Sequence, residues 1–206
     1  MKWLLVIMGL FVIILAGCTT TMTTKQTTGE EVDGQKTAIF AGGCFWCMEG
    51  PFEAEPGVID VVVGYTGGEE VDPSYELVSS GTTKHREAIK VTYDPTQVSY
   101  ERLVELYFWQ IDPTDPNGQF ADKGYQYTTA IYYFDEEQKQ IAEQAIKDID
   151  ASGRFDKPVV TKVLAAKPFY LAEDYHQDYY LKQSAQYEAY SILSGRKGFI
   201  KRAWQK

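Results

Sequence analysis

Residues 42–47, Gly42-Gly43-Cys44-Phe45-Trp46-Cys47, hold the residue types that thiol chemistry needs. The β-like run Thr37-Ala38-Ile39-Phe40-Ala41 ends at two glycines, which tolerate the positive φ and close backbone approach of a sharp strand-to-helix turn. Such a turn sets Cys44 at a helix N-terminus, where unpaired N–H groups and the helix dipole favour a thiolate. Cys47 follows three residues on, on the same helical face. This is a nucleophile with a built-in partner, and thiol–disulfide exchange on protein cysteines is one chemistry that it fits. Cys-x2-Cys is also half of a zinc site, which His85 and His176 could complete. About 90 residues separate those two histidines, unlike the close spacing of a zinc finger.

Glu87 is the candidate proton donor. Glu87, Ile89, Val91 and Tyr93 alternate with Ala88, Lys90 and Thr92 at the strand period, and Asp94-Pro95 ends the run. Glu87 therefore shares the apolar face, where a carboxyl has its pKa raised and keeps its proton near neutrality. The alternative is a strand-end carboxylate paired with Arg86 or Lys84. His85 reads as a strand-end surface residue.

The elements that must position these groups alternate between strand and helix. Val58 to Val63 is a strong strand closed by the turn region Gly64-Tyr65-Thr66-Gly67-Gly68. Ser99 to Ile111 carries Leu103, Leu106, Tyr107 and Ile111 at helical spacing, and Thr128 to Phe134 reads as a strand. Asp135 is placed to cap the next helix, with Gln138 at the capping-box position. Ile141, Ala142, Ala145, Ile146 and Ile149 form its apolar stripe, and Gly153 stops it. Val159 to Leu164 predicts a further strand, and Tyr175 to Lys206 predicts helix and coil. The pattern suits an α+β two-layer sandwich, a mixed sheet covered by helices mainly on one face.

The 206 residues are 44% hydrophobic, which suits one domain. A formal net charge of −9 argues against a binder of phosphate backbones. Three cysteines are too few for a disulfide framework. At the start, Lys2 precedes an apolar run, Leu4 to Leu15, shorter than the ~20 residues of a membrane span. That run suits a secretory signal. Leu15-Ala16-Gly17-Cys18 resembles the cleavage box of a bacterial lipoprotein. Residues 1–17 are thus expected to be a signal peptide. Cys18 would be lipidated and hold the protein at the cell membrane, extracytoplasmic. Residues 18–36 carry almost no apolar side chains and predict a flexible tether. Residues 37–206 form the expected catalytic domain.

Further motifs follow the Gly-Gly-Cys turn: Gly64-Tyr65-Thr66-Gly67-Gly68, Asp72-Pro73-Ser74-Tyr75, His85-Arg86-Glu87-Ala88, Tyr93-Asp94-Pro95, Asp122-Lys123-Gly124-Tyr125-Gln126-Tyr127 and Ala172-Glu173-Asp174-Tyr175-His176-Gln177. In content and order they resemble the peptide methionine sulfoxide reductase A family, over nearly everything after residue 36. The resemblance implies a ferredoxin-like core and thiol-dependent reduction of free and protein-bound methionine (S)-S-oxide, a repair of oxidised proteins. Cys44 would attack the sulfoxide sulfur and become a sulfenic acid, while Glu87 protonates the oxygen. Tyr75 and Tyr127 match the tyrosines that hydrogen-bond that oxygen. Phe45 and Trp46 match the pocket for the S-methyl group. Asp122 matches the acid that contacts the substrate's backbone N–H, and His176 is expected in a hydrogen-bonded structural role.

Many members of that family have Gly or Ser where this chain has Cys47, and recycle through C-terminal cysteines. No cysteine follows Cys47 here. Cys47 is therefore the expected resolving cysteine, its Cα about 5 Å from that of Cys44 in a helix. Pro51 cannot donate to the carbonyl of Cys47, a loosening expected to let the Cys44–Cys47 disulfide close. Thioredoxin or a thioredoxin-like donor would reduce it. No metal, flavin or nicotinamide is expected, since no phosphate-cradling loop is present.

Overall fold

The computed structural model describes residues 34–204; the expected signal peptide, Cys18 and all but the end of the tether lie outside the described residues. Strand β1 (Lys36–Ala41) runs through the glycine turn into helix α1 (Trp46–Glu53), and strand β2 (Val58–Thr66) follows. Helix α2 (Tyr75–Ser79) leads to β3 (Arg86–Tyr93) and then to α3 (Tyr100–Trp109). Two-residue strands β4 (Gly118–Gln119) and β5 (Asp122–Lys123) make a small hairpin, followed by a 3-10 turn at Tyr125–Tyr127. Next come β6 (Ala130–Tyr133), α4 (Glu136–Ala151), β7 (Lys162–Ala165) and β8 (Phe169–Leu171). Helices α5 (Tyr179–Lys182), α6 (Ser184–Leu193) and α7 (Arg196–Ala203) complete the described chain.

The main sheet has the order β7-β6-β1-β3-β2-β8. Only the β6–β7 pair is parallel. The central order β6-β1-β3-β2, with α1 crossing from β1 to β2, is the expected ferredoxin-like α+β core. Phe40 of β1 anchors the helix-covered face, with its ring 5.3 Å from Phe52 and 5.1 Å from Tyr107. Val61, Val63, Ile89 and Val91 of the sheet join Met48, Leu103 and Val104 of the helices in the same cluster. Burying each large apolar side chain contributes about 1.5–3 kcal/mol. A smaller cluster, including Ile39, Ala88, Tyr132 and Phe169, lies apart from it.

Local chemistry sets the element ends. Asp135 caps α4 by accepting the N–H of Gln138 at 2.8 Å. Gln138 does not close the box on Asp135. Its Oε1 accepts the N–H of Phe134, and its Nε2 donates to the carbonyl of Thr37, which ties α4 to β1. Gly153, at φ +62, ends α4 as expected. Strand β7 starts three residues later than the sequence predicts. The N–H groups of Val159 and Val160 are taken by Asp150 and by the Pro113 carbonyl, outside the ladder.

Candidate active site

The turn after β1 leaves no room for side chains. A Cβ on Gly42 would lie 2.6 Å from Met48 Sδ. Gly43 has φ +85, and a Cβ there would lie 2.6 Å from Gln119 Cβ. Gly43→Ala is therefore expected to destabilise the fold by roughly 1–3 kcal/mol, read as a lower urea midpoint. The carbonyl of Cys44 accepts the N–H of Cys47 at 3.1 Å, and α1 begins at Trp46 with Phe45 as its cap. Pro51 lies inside α1, so residue 51 offers no N–H to the Cys47 carbonyl.

Cys44 and Cys47 are free thiols, both buried, and their sulfurs share a hydrogen bond. Burial opposes the Cys44 thiolate that the helix N-terminus favours. Burial pushes the Cys44 thiol well up, with Cys47 and then Glu87 adding to the rise. Cys47 moves down, because it accepts the hydrogen bond from Cys44 and because Arg196 is close. Of the two thiols, Cys47 therefore gives up its proton more readily than Cys44.

Glu87 lies on β3, only 2% exposed, and its Oε2 accepts the backbone N–H of Phe45 at 3.1 Å. Burial pushes its pKa up to about 8; the Phe45 hydrogen bond offsets part of this, while Asp122 and Cys47 add to it. At neutral pH this carboxyl keeps its proton. The alternative pairing with Arg86 or Lys84 does not occur. Arg86 donates to Thr128 and Tyr132 and lies over the Tyr125 ring, as does the ammonium of Lys84.

Aromatic residues from several separate segments gather around this pair. Tyr75 opens α2, where its N–H is held by Glu173 Oε1 at 2.8 Å. Burial, with Glu87 and Cys44 beside it, pushes its phenol up to about 12. Burial and Glu87 also raise the Tyr127 phenol, so both tyrosines stay protonated donors. The buried Phe45 ring lies 5.1 Å from His176 and 6.0 Å from Tyr65. Trp46 stacks on Tyr179 at 3.8 Å, and its Nε1–H donates to His176 Nδ1 at 3.1 Å. Because Nδ1 accepts, neutral His176 carries its proton on Nε2, and burial lowers its pKa. Asp122 accepts a hydrogen bond from the Tyr190 hydroxyl. The predicted site residues of the described chain thus converge on one turn.

His85 is not the expected surface residue. It is fully buried, accepting the N–H of Gly68 at Nδ1, with Nε2 2.9 Å from the Glu70 carbonyl. With His176 engaged by Trp46, the zinc set of Cys44, Cys47, His85 and His176 is not assembled. The ligand-type side chains that do meet, among the described residues, are Glu49, Glu53 and Asp178. There Glu49 holds the N–H of Asp178, and burial pushes its carboxyl up to about 7. Sequence reasoning missed Tyr179, Tyr190 and Arg196. Tyr179 lay within reach, two residues past the His176-Gln177 motif. Tyr190 and Arg196 gave no signal, being single residues in a polar stretch.

The family model described as peptide methionine sulfoxide reductase matches residues 36–206. Over 168 residues the chain is 55% identical to the peptide methionine sulfoxide reductase MsrA of Listeria monocytogenes, covering 82% of this chain and 95% of that one. It is 34% identical to the solved methionine sulfoxide reductase A of Corynebacterium diphtheriae, with a TM-score of 0.66 over 74% of this chain and 77% of that one. Reduced Mxr1 of Saccharomyces cerevisiae is similar at 27% identity and a TM-score of 0.71, covering 79% and 93%. Mxr1 has also been solved in complex with Trx2. A family match that begins in β1 and takes in every part of the site, with a relative more than half identical, means that the chain belongs to the peptide methionine sulfoxide reductase family and reduces methionine sulfoxide with thiols.

Proposed function

We propose that this enzyme reduces the S epimer of methionine sulfoxide, free and within proteins, through a Cys44 sulfenic acid and a Cys44–Cys47 disulfide. The observation that carries this reading is the proton-holding Glu87 carboxyl, hydrogen-bonded to the residue next to Cys44. Cys44 sulfur attacks the substrate sulfur while Glu87 donates its proton to the oxygen. The sulfur–oxygen bond of the substrate breaks, and the hydroxyl ends on Cys44. The proton released by the Cys44 thiol restores Glu87, and methionine departs two electrons richer. Tyr75 and Tyr127 donate to the oxygen as its charge develops. Phe45 and Trp46 hold the S-methyl group, and Asp122 accepts the backbone N–H of the substrate.

Cys47 then attacks Cys44, closing the disulfide and releasing water. A thioredoxin-like dithiol reduces it by exchange, a reading supported by the Mxr1–Trx2 complex. Leu15-Ala16-Gly17-Cys18 supports an extracytoplasmic lipid anchor at Cys18, with residues 19–36 as its tether. The test is a single turnover on pre-reduced protein without added reductant, each sulfoxide epimer supplied alone. One methionine per enzyme from the S epimer only, with Cys44 and Cys47 both lost as thiols, is the expected result. Equal release from the R epimer overturns the stereochemistry. No release from either moves the assignment to thiol–disulfide exchange.

A further inference from the structure

Arg196 opens α7 and is 3% exposed, yet among the described residues no carboxylate forms an ion pair with it. Its Nη2 donates to the carbonyl of Gly42 at 3.0 Å and its Nη1 to that of Gln110 at 2.6 Å. Nη1 also lies 3.8 Å from Met48 Sδ, and the guanidinium covers the Phe120 ring at 4.7 Å. A Cβ on Gly43 would come within 2.8 Å of Nη2, so the cation rests directly under the turn that carries the thiols. Carbonyl dipoles and a ring face solvate a buried cation only in part. Guanidinium cannot shed its proton, so its charge is a standing bias towards any anion that forms nearby.

We propose that Arg196 is a positioning residue of the recycling half-reaction, holding positive charge beside Cys47 so that this thiol attacks the Cys44 sulfenic acid as a thiolate. The inference rests on the reading of Cys47 as the resolving cysteine. In that step the Cys47–Cys44 bond forms and the Cys44 sulfur–oxygen bond breaks. The leaving hydroxide takes the Glu87 proton and departs as water. The proton lost from Cys47 is restored to Glu87, so one thiol and one sulfenic acid give one disulfide and one water.

The other groups facing Cys47 do not replace Arg196. Cys44, Glu87 and Asp122 are acids, and Tyr187 and Tyr190 of α6 are neutral phenols held up by burial. Lys197 also favours the Cys47 thiolate, but it is exposed and paired with Glu188. Arg196 is the stronger cause of the two, consistent with its burial. It comes from the C-terminal segment, which carries no cysteine in this chain.

The test uses the full pre-reduced chain in detergent, with one equivalent of methionine sulfoxide added. Methionine release and disulfide closure are timed separately, closure by alkylation mapped on the peptide that carries Cys44 and Cys47. In the native protein, closure should reach half its limiting rate below the ordinary thiol pKa of about 8.5. Arg196→Met should slow closure at least about tenfold more than it slows methionine release, and move its pH midpoint upward. Arg196→Lys should restore most of the rate. A native midpoint at or above the ordinary thiol value overturns the proposal without any variant. So does an Arg196→Met protein that closes at the native rate, or slowing shared equally by the Met and Lys variants. If the native protein releases methionine but forms no disulfide, the reading of Cys47 falls, and this proposal with it.

Discussion

Glu87→Gln lowers kcat/KM for methionine sulfoxide by about 10³-fold, within the range for loss of a positioned general acid. The amide keeps the shape of the carboxyl and can still accept the Phe45 N–H, but it has no proton to give. Native activity falls as pH rises through about 8, where the carboxyl ionises; the residual activity of the variant lacks that limb. Native stability falls with rising pH as well. The folded-state pKa of Glu87 is raised, so its contribution is full below the ordinary value of 4.5 and is lost as pH rises through about 8. Glu87→Gln has no such loss, so between pH 7 and 9 its Tm exceeds the native one. Melting curves and rates across that range check both halves. A variant that is inactive because it is unfolded shows the opposite sign in Tm.

Cys47→Ser stops after one turnover. Methionine is released once per enzyme, because Cys44 and Glu87 are untouched. Thioredoxin-supported turnover then falls at least about 100-fold, because attack by an outside thiol forfeits the effective molarity of a neighbouring one. The Cys44 sulfur compounds the loss, since the residue is only 5% exposed. A sulfenic acid remains, readable as a dimedone adduct on Cys44 and absent from native protein after the same turnover. Steady-state rates within a few-fold of native would show that Cys47 does not resolve the intermediate.

Much of this machine was legible along the chain. The alternation of Glu87, Ile89, Val91 and Tyr93 placed the acid on a buried face, and all four are buried. The Ser99 to Ile111 periodicity gave α3, with Ser99 as the cap that accepts the Arg102 N–H. The Asp135 cap and the Gly153 stop bound α4 because each depends on neighbours within one helical turn. The run Val159 to Leu164 has strand propensity throughout, yet β7 begins only at Lys162, because Asp150 and Pro113 take its first N–H groups. His85 misled for a similar reason. Its partners Gly68 and Glu70 belong to the loop after β2, folded back over the start of β3.

By itself, then, the sequence determined the turn, the strand face of the acid and the motifs that identify the reaction, all encoded by residues a few positions apart. Only the tertiary structure decided where the protons rest. Desolvation sums over every atom around a group, and the atoms around Cys44 and Glu87 come from elements spread between β1 and α7. That sum pushes the Cys44 thiol up and keeps Glu87 an acid near neutrality. The same closure brings Tyr190 to Asp122 and Arg196 beneath the Gly42-Gly43 turn, across separations of 68 and 154 residues that no local pattern spans.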